Sequence, residues 1–462
     1  MKHIYKYIKH TLLFLTVCGA VSCKFEDIKP PTNKIITGTL FQDEGTATAA
    51  VLGLYSKLVA TNNVFSNGGT TIFAGLSSDE LYVANVGLAE YIPFQTNQIA
   101  VDNSIISTNF WRSAYEIIYQ ANSCLQGLQN STTISDNTKR QLMGECYFIR
   151  AFCYWYMVNL FGDTPMPLTP DYGINKQLSR TTSADVKKQI LSDLSQARIL
   201  LTETYPTAGK LRVNYYAVLA LLSRYYLYEQ NWSETEKLTT EILQSPLYHY
   251  ETDINKIFLI TGTESIWQLQ SSQSTFNSVE GSSFIPSTIP SITPLFAVTD
   301  NLLASFENND LRKTAWTAKK TVAGVTYTYP FKYKIRQNTT KTENYVMFRL
   351  GEVYLNRAEA YAHLQRPQEA LNDLNILRHR ANLDDRTLDK TPDILGAVQQ
   401  ERRIELFAEW GHRWFDLRRT GKINQVLAAI KPTWQPTAAW FPIPASEILA
   451  NPKLTQNDGY NK

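Results

Sequence analysis

Apolar side chains recur at intervals of three and four residues along much of the chain, a pattern typical of helices with one buried face. The pattern is clearest over residues 345–364, where Leu350, Val353 and Tyr361 belong to one apolar stripe. A proline then stands at the start of residues 367–380, where a helix can begin without the missing N–H. The two segments together predict a helical hairpin of the tetratricopeptide type.

The same periodicity predicts four pairs of antiparallel helices in all, which join residues 43–60 with 109–128, 137–161 with 183–201, 213–228 with 232–243, and 345–364 with 367–380. Similarity between the pairs is poor, so they are not predicted to be sequence repeats. Four tryptophans in scaffold-like runs are predicted to be core residues: Trp111, Trp155, Trp267 and Trp414. The predicted fold class is an all-α scaffold of these tetratricopeptide-like hairpins, with an irregular, loop-rich part that contains short strands.

Two long regions, 61–101 and 250–344, lack helical periodicity. In the second, Ser, Thr, Asn and Pro replace helix formers, and alternating runs at 266–269 and 325–329 predict small strands. The chain after Arg419 is also predicted to be loop-like. Long loops in a compact domain are uncommon and often carry function, so ligand contacts are expected in these two regions.

The amino-acid composition indicates which classes of ligand the protein is suited to bind. The 462 residues are 44% hydrophobic, and 45 Lys and Arg against 42 Asp and Glu give a net charge of +3. This balance gives no electrostatic footprint for nucleic acid. Charged residues make up only 19%, whereas there are 26 tyrosines and 9 tryptophans. Such a surface suits uncharged polar ligands such as sugars or peptides, although most tyrosines are expected to pack between helices.

The N-terminus is predicted to be a lipoprotein signal peptide at 1–22. A lysine-rich start precedes an apolar run at 11–21 that is too short to span a bilayer as a helix. Small residues then precede Cys23, which we interpret as a lipid-modified N-terminus, because several acyl chains on one cysteine anchor firmly. Residues 23–38, which include two prolines, are predicted to be the lipidated tether.

The sequence offers no recognisable metal or cofactor motif. Cys124, Cys146 and Cys153 lack metal-ligand spacing and are predicted to be unpaired, buried apolar residues. The six histidines form no metalloprotease or triad motif. No metal and no cofactor are predicted.

Three glutamates at helical spacing, Glu401, Glu405 and Glu409, raise the alternative of a glycosidase. Such enzymes need two carboxyl groups roughly 5–9.5 Å apart on either side of a sugar. Arginines close by in the sequence explain the same pattern as ion pairing on a packed helix, and we favour that structural interpretation. Asp416, which also has arginine neighbours, is interpreted in the same way.

Several short runs resemble the SusD/RagB family of nutrient-binding outer-membrane lipoproteins. In order, they are Cys23 with Glu26 and Asp27, then residues 144–152, 160–165, 349–380, 401–406, 413–417, 441–444 and 451–460. Each run alone is weak, but their order and spacing make the resemblance specific. The acidic pair after Cys23 looks like the signal that sends such lipoproteins to the cell surface.

The resemblance implies a binding protein without enzymatic activity or cofactor, lipid-anchored and surface-exposed at the outer membrane. It implies capture of a glycan, or in some members a peptide, and delivery to a SusC-like TonB-dependent barrel. No nucleic acid is expected to bind. Within a SusD-like domain at 39–462, we expect an N-terminal helical part at 39–249, an irregular insert at 250–344 and a C-terminal SusD/RagB part at 345–462.

The ligand-binding residues are expected in the two irregular regions, because aromatic rings stack on sugar faces and polar side chains bond hydroxyl groups. The family often has an acidic residue near its pocket, and Asp79 stands at that place. The predicted ligand-binding residues are Asp79, Tyr82, Tyr91, Phe94, Phe276, Phe284 and Trp316. Packing of the loops against the scaffold explains each of them equally well. Residues 61–101 contain no tryptophan, unlike glycan-binding members, which argues against a large stacking platform there.

Three alternative functions stay open at this point. The first keeps the transporter role but changes the ligand to a peptide, which would need exposed polar grooves. The second is a surface glycosidase, which would need a carboxylate pair in a cleft. The third is a helical scaffold that binds only protein.

Overall fold

The computed structural model describes residues 40–461, so the predicted signal peptide, the lipidation site Cys23 and the tether at 23–38 lie outside the described residues. Within these residues, the first nine α-helices are α1 (Glu44–Ala60), α2 (Gly75–Ser77), α3 (Ile92–Thr96), α4 (Ser113–Asn130), α5 (Asp136–Phe161), α6 (Tyr172–Asn175), α7 (Ser183–Leu200), α8 (Tyr215–Tyr228) and α9 (Trp232–Leu243). Two π-helices, Phe65–Ala74 and Ile106–Arg112, lie between α1 and α4.

Nine further helices follow: α10 (Val279–Phe284), α11 (Asp300–Leu303), α12 (Leu311–Ala315), α13 (Leu350–His363), α14 (Pro367–Arg380), α15 (Ile394–Glu405), α16 (His412–Arg419), α17 (Ile423–Ile430) and α18 (Ala445–Ala450). The strands are β1 (Leu81–Val83), β2 (Ser265–Leu269), β3 (Phe296–Val298), β4 (Thr317–Val322), β5 (Val325–Pro330) and β6 (Tyr345–Arg349). They form three antiparallel pairs, β1 with β3, β2 with β6 and β4 with β5.

The four predicted hairpins are confirmed as packed helix pairs: α1 with α4, α5 with α7, α8 with α9, and α13 with α14. Helix α5 is the centre of the core, because nearly every residue of its C-terminal half is buried. Helix α9 also packs on α13, so the third and fourth hairpins touch although the irregular insert separates them in sequence. The four tryptophans predicted to be core residues are buried, and so are the three unpaired cysteines.

The prediction of helix over residues 345–349 is wrong. This segment is strand β6, whose five residues are all buried. It pairs antiparallel with β2, with Tyr345 opposite Leu269. The apolar run Tyr-Val-Met-Phe fits a buried strand as well as a helix, and the presence of a partner strand decides between them.

Two regions are more regular than predicted. In residues 61–101, the helical segment Phe65–Ala74, which is kinked at Asn67 and Gly68, is buried along its whole length. Its Gly68 has φ +83°, and a Cβ there would lie 2.5 Å from Val279 Cγ1, so α10 packs against bare backbone. After Arg419 the chain forms α17 and α18 rather than loop alone.

A buried cluster of ion pairs joins the insert to the C-terminal helices. Arg349 Nη1 donates to Glu405 Oε1 at 2.6 Å, and its Nε donates to Glu409 Oε2 at 2.8 Å. Glu405 also accepts from Arg312, at 3.1 Å, and from Arg380. Glu401 pairs with Arg312, and Glu409 also pairs with Lys332. All three glutamates are therefore ion-paired, as interpreted, but their partners are arginines and a lysine distant in sequence rather than neighbours on the same helix.

Asp416, which we interpret in the same way from the sequence, is also ion-paired inside the protein. Asp416 accepts from Arg402 at 3.1 Å and from Arg419 at 2.7 Å, rather than from the expected neighbours Arg413 and Arg418. Burial alone would raise the pKa of Glu405, but the guanidinium groups of Arg380, Arg349 and Arg312 outweigh burial and lower its pKa to about 2. These carboxylates are therefore ionised and balanced by arginines.

The cluster predicts a large stability loss in Glu405→Gln. The amide keeps the shape of the side chain but leaves three buried arginines without a full counter-charge, which should cost about 3–5 kcal/mol of unfolding free energy. Urea titration followed by circular dichroism measures the loss. The control is Lys188→Gln, which breaks the exposed pair with Asp185 and should leave the urea midpoint unchanged. Equal midpoints for the two variants would contradict a structural role for the cluster.

Candidate functional site

Four of the seven predicted ligand-binding residues are buried. Trp316 has 0% of its surface exposed, and its indole Nε1 donates to the carbonyl of Ile254 at 3.3 Å. The ammonium group of Lys332 lies 4.4 Å from the centroid of its ring. Trp316 therefore packs inside the insert, beside the ion-pair cluster, and offers no face to a ligand.

Asp79 is a buried ion-pair partner. Arg413 Nε donates to its Oδ1 at 2.6 Å, and Arg403 Nη2 donates to its Oδ2 at 2.7 Å. Burial would raise the pKa of Asp79, but the two arginines outweigh it and lower the pKa. With 2% of its surface exposed, Asp79 connects the segment before β1 to helices α15 and α16 and has no lone pair directed at solvent.

Phe94 and Phe284 belong to an aromatic cluster that Tyr91 closes on the outside. Tyr91 stacks on Phe73 with 5.1 Å between ring centroids, and Phe94 lies 4.6 Å from the same ring. Phe284 lies 6.1 Å from Phe296, which in turn lies 5.5 Å from Tyr91. Phe94 and Phe284 are buried, so we leave them, with Asp79 and Trp316, out of the proposed site.

The predicted residues that keep exposed surface are Tyr82, Tyr91 and Phe276, which are half-buried. Tyr82 lies on β1 opposite Ala297 of β3. Burial, followed by the neighbouring Tyr327 and Asp300, raises the pKa of Tyr82. Tyr327 is a half-buried residue of the β4–β5 hairpin that the sequence prediction missed. Strand β5, which carries Tyr327, packs on β3, and β3 pairs with β1, which carries Tyr82. We call the surface that carries these two tyrosines the Tyr82–Tyr327 surface.

Phe276 lies apart from this surface, in the loop between β2 and α10. Its carbonyl oxygen accepts from Lys341 Nζ at 2.5 Å, so the loop is tied down through its backbone. No aromatic partner packs on its ring among residues 40–461. Phe276 therefore stays a predicted ligand contact, and no second aromatic residue of the described chain packs beside it.

A groove of about 1600 Å³ lies outside both irregular regions. Helices α1 and α4 form its floor, and residues 165–178 and 447–454 form its walls. Tyr119 and Tyr172 line it with 55% and 76% of their surfaces exposed. The sequence prediction missed this α1–α4 groove, although an exposed tyrosine on the polar face of a helix was a usable signal.

The described residues offer nothing for a metal centre or a membrane span. Within residues 40–461, no group of three or more His, Cys, Asp or Glu side chains is placed to hold a metal ion. Over the same residues, every helix is too short or too polar to cross a bilayer.

Comparison with known proteins decides the family. Residues 260–460 match the family described as the SusD family, and residues 60–227 match one described as starch-binding and associating with the outer membrane. The chain belongs to the SusD-like family. The resemblance to the SusD/RagB family and the all-α fold class, both predicted from the sequence, are confirmed.

Individual SusD-like relatives cover nearly the whole chain. SusD-like protein P25 of Formosa agariphila is 26% identical over 96% of this chain and 97% of its own length. A SusD superfamily structure from Bacteroides vulgatus has 23% identity and a TM-score of 0.80, covering 91% of this chain and 99% of that one. Surface glycan-binding protein A from Bacteroides thetaiotaomicron has 20% identity and a TM-score of 0.76, covering 91% and 100%. The two structures show a shared fold.

Glu80, next to Asp79, generates a prediction about pH. Its side chain is 1% exposed, and one carboxyl oxygen has no hydrogen-bond donor. Burial, followed by the negative charge of Asp79, raises its pKa from 4.5 to about 8. The folded state therefore favours the neutral acid, so the stability it confers is complete below pH 4.5 and is lost as pH rises through about 8.

We expect Glu80→Gln to match the parent protein at pH 5 and to be more stable at pH 9, because the amide mimics the neutral acid. The difference at pH 9 should be on the order of a few kcal/mol. Thermal melting between pH 5 and pH 9 measures it. The control is Glu90→Gln, an exposed glutamate nearby whose curve should follow that of the parent. If the curve of Glu80→Gln also ran parallel to the parent, Glu80 would not be a neutral buried acid.

Proposed function

We propose that this protein binds a glycan at the cell surface and delivers it to a SusC-like TonB-dependent barrel in the outer membrane. The observation that carries the proposal is the match of residues 60–227 to a family described as starch-binding and associating with the outer membrane. The shared fold with a surface glycan-binding protein supports it. The net charge of +3 over 462 residues suits an uncharged ligand.

The proposed role is binding without catalysis. A glycosidase needs two carboxyl groups free to face a sugar. The three glutamates that raised this alternative are buried and bonded to arginines and a lysine, which favours a structural role. The ligand instead meets the Tyr82–Tyr327 surface, where tyrosine rings stack on sugar faces and phenol groups bond hydroxyls.

The Tyr82–Tyr327 surface predicts that Tyr82→Ala and Tyr327→Ala each weaken glycan binding about tenfold, or about 1.4 kcal/mol, because each removes one ring. Shallow sites of this kind should bind with Kd of about 1 µM to 1 mM. Calorimetry against a panel of soluble oligosaccharides, with melting temperature as a check on folding, measures both. The control is Ile199→Ala, which removes an exposed apolar side chain on α7.

Two outcomes would contradict this function. One is a parent protein that binds peptides but no glycan of the panel. The other is release of shorter sugars from any bound glycan, which would show hydrolysis. Unchanged affinity in both tyrosine variants would contradict the proposed location but leave glycan binding in place.

The membrane role predicts the behaviour of Cys23→Ser. The parent should incorporate labelled fatty acid, sediment with outer membranes and co-purify with the SusC-like barrel of its host after detergent extraction. The variant should lose the label and the membrane fraction, because acyl chains supply the anchor, yet should bind the purified barrel in detergent. Cys18→Ser is the matched control and should behave like the parent. A labelled, membrane-bound Cys23→Ser protein would show that the anchor lies elsewhere.

A further inference from the structure

The floor of the α1–α4 groove is a helix face that no other described element covers. On α4, one row of the residues that line the groove recurs every three or four positions: Glu116, Tyr119, Ser123, Gln126 and Asn130. The opposite face of α4, with Ile117, Ile118 and Leu125, is buried in the core. The helix is therefore amphipathic in the usual sense, but its polar face carries an exposed tyrosine ring beside two amides.

The groove is held open by direct bonds between its parts. Gln120 Nε2 donates to the carbonyl of Ala50 at 3.0 Å, which fixes α4 against α1. The Tyr115 hydroxyl donates to the carbonyl of Pro165 at 2.7 Å, which fixes the wall against α4. The cavity is thus formed by packed helices and anchored loops rather than by loop tips.

The wall formed by residues 165–178 offers a second tyrosine ring and an acceptor without a donor. Tyr172 is 76% exposed, and Lys176 Nζ lies 5.5 Å from its ring centroid, so at least one face is free. Asn175 Nδ2 donates to the carbonyl of Thr169 at 2.7 Å, whereas its buried Oδ1 has no donor within residues 40–461. A buried acceptor without a donor costs free energy that a ligand hydroxyl would recover.

Charge and size narrow the ligand class. The charged residues of the lining are three cations, Lys57, Arg112 and Lys176, and three anions, Glu116, Asp171 and Glu447. Because the two sets balance, the groove gives no net attraction to a polyanion or a polycation. A volume of about 1600 Å³ exceeds the roughly 300–1,000 Å³ of ordinary small-molecule sites, so it suits an oligomer.

We propose that the α1–α4 groove is a second glycan-binding site, which takes an uncharged oligosaccharide. Tyr119 and Tyr172 stack on sugar rings, and the amides of Gln126 and Asn175 bond hydroxyl groups. The proposal rests on the proposed function for the class of ligand, but it assigns a different surface from the Tyr82–Tyr327 surface. Two separate sites on one chain would hold a polysaccharide more firmly than either alone.

The test uses the full mature lipoprotein in detergent, neutral oligosaccharides and the polysaccharides that contain them. The groove variant is Tyr119→Ala/Tyr172→Ala; both side chains are more than half exposed, so the fold should be unaffected. The matched variant is Tyr82→Ala/Tyr327→Ala. We expect each pair to weaken polysaccharide retention in affinity electrophoresis about tenfold. Bound oligosaccharide should protect residues 113–130 and 171–176 from hydrogen exchange in the parent but not in the groove variant.

The outcomes separate this inference from the proposed function. If only Tyr82→Ala/Tyr327→Ala weakens binding and the groove gains no protection, the groove inference falls and glycan binding stands. If no glycan binds the parent, both fall. Protection of the groove without ligand that disappears when residues 24–38 are deleted would show that the chain fills its own groove. Protection by a peptide alone, or only by the barrel, would likewise overturn the glycan assignment.

Discussion

The structure depends on a buried carboxylate that three arginines share. Glu405, which has no exposed surface, accepts from Arg349, Arg380 and Arg312. These arginines come from strand β6, helix α14 and the irregular insert, so one carboxylate ties together three parts of the chain that are distant in sequence. Removal of any one partner would leave an unpaired charge in a low-dielectric interior, so the arrangement is specific as well as stable.

That constraint explains why an irregular insert can occupy a fixed position. Residues 250–344 contain few helices, yet Glu264, Arg312 and Lys332 all enter the buried cluster. Strand β2 adds a backbone connection by pairing with β6. The insert is therefore attached through charges and through two strand pairs, β2 with β6 and β3 with β1. Its β4–β5 hairpin packs on β3, on the same side of the molecule as β1.

Local periodicity in the sequence predicts the helical hairpins, because each amphipathic face carries its own signal. It fails at residues 345–349, where helix and buried strand have the same apolar pattern and a distant partner decides. The candidate site is harder to predict: Phe94 and Trp316 lie in irregular segments but are buried, since an aromatic ring in a loop packs as readily as it binds. The α1–α4 groove has one local signal, the tyrosine on the polar face of α4, but its walls come from residues 165–178 and 447–454, which are distant in sequence.

The low content of charged residues bears on both the scaffold and the proposed binding of an uncharged ligand. Charged residues make up only 19% of the chain, and many arginines and glutamates of the C-terminal half are used in buried pairs such as Arg402–Asp416 and Arg419–Glu359. The exposed residues of the α1–α4 groove include the two tyrosines Tyr119 and Tyr172 and the amide Gln126. An uncharged polymer has no charge to steer it, so its binding must come from ring faces and hydroxyl bonds held in fixed positions. A scaffold whose C-terminal half is fixed by buried ion pairs can hold such groups rigidly in place.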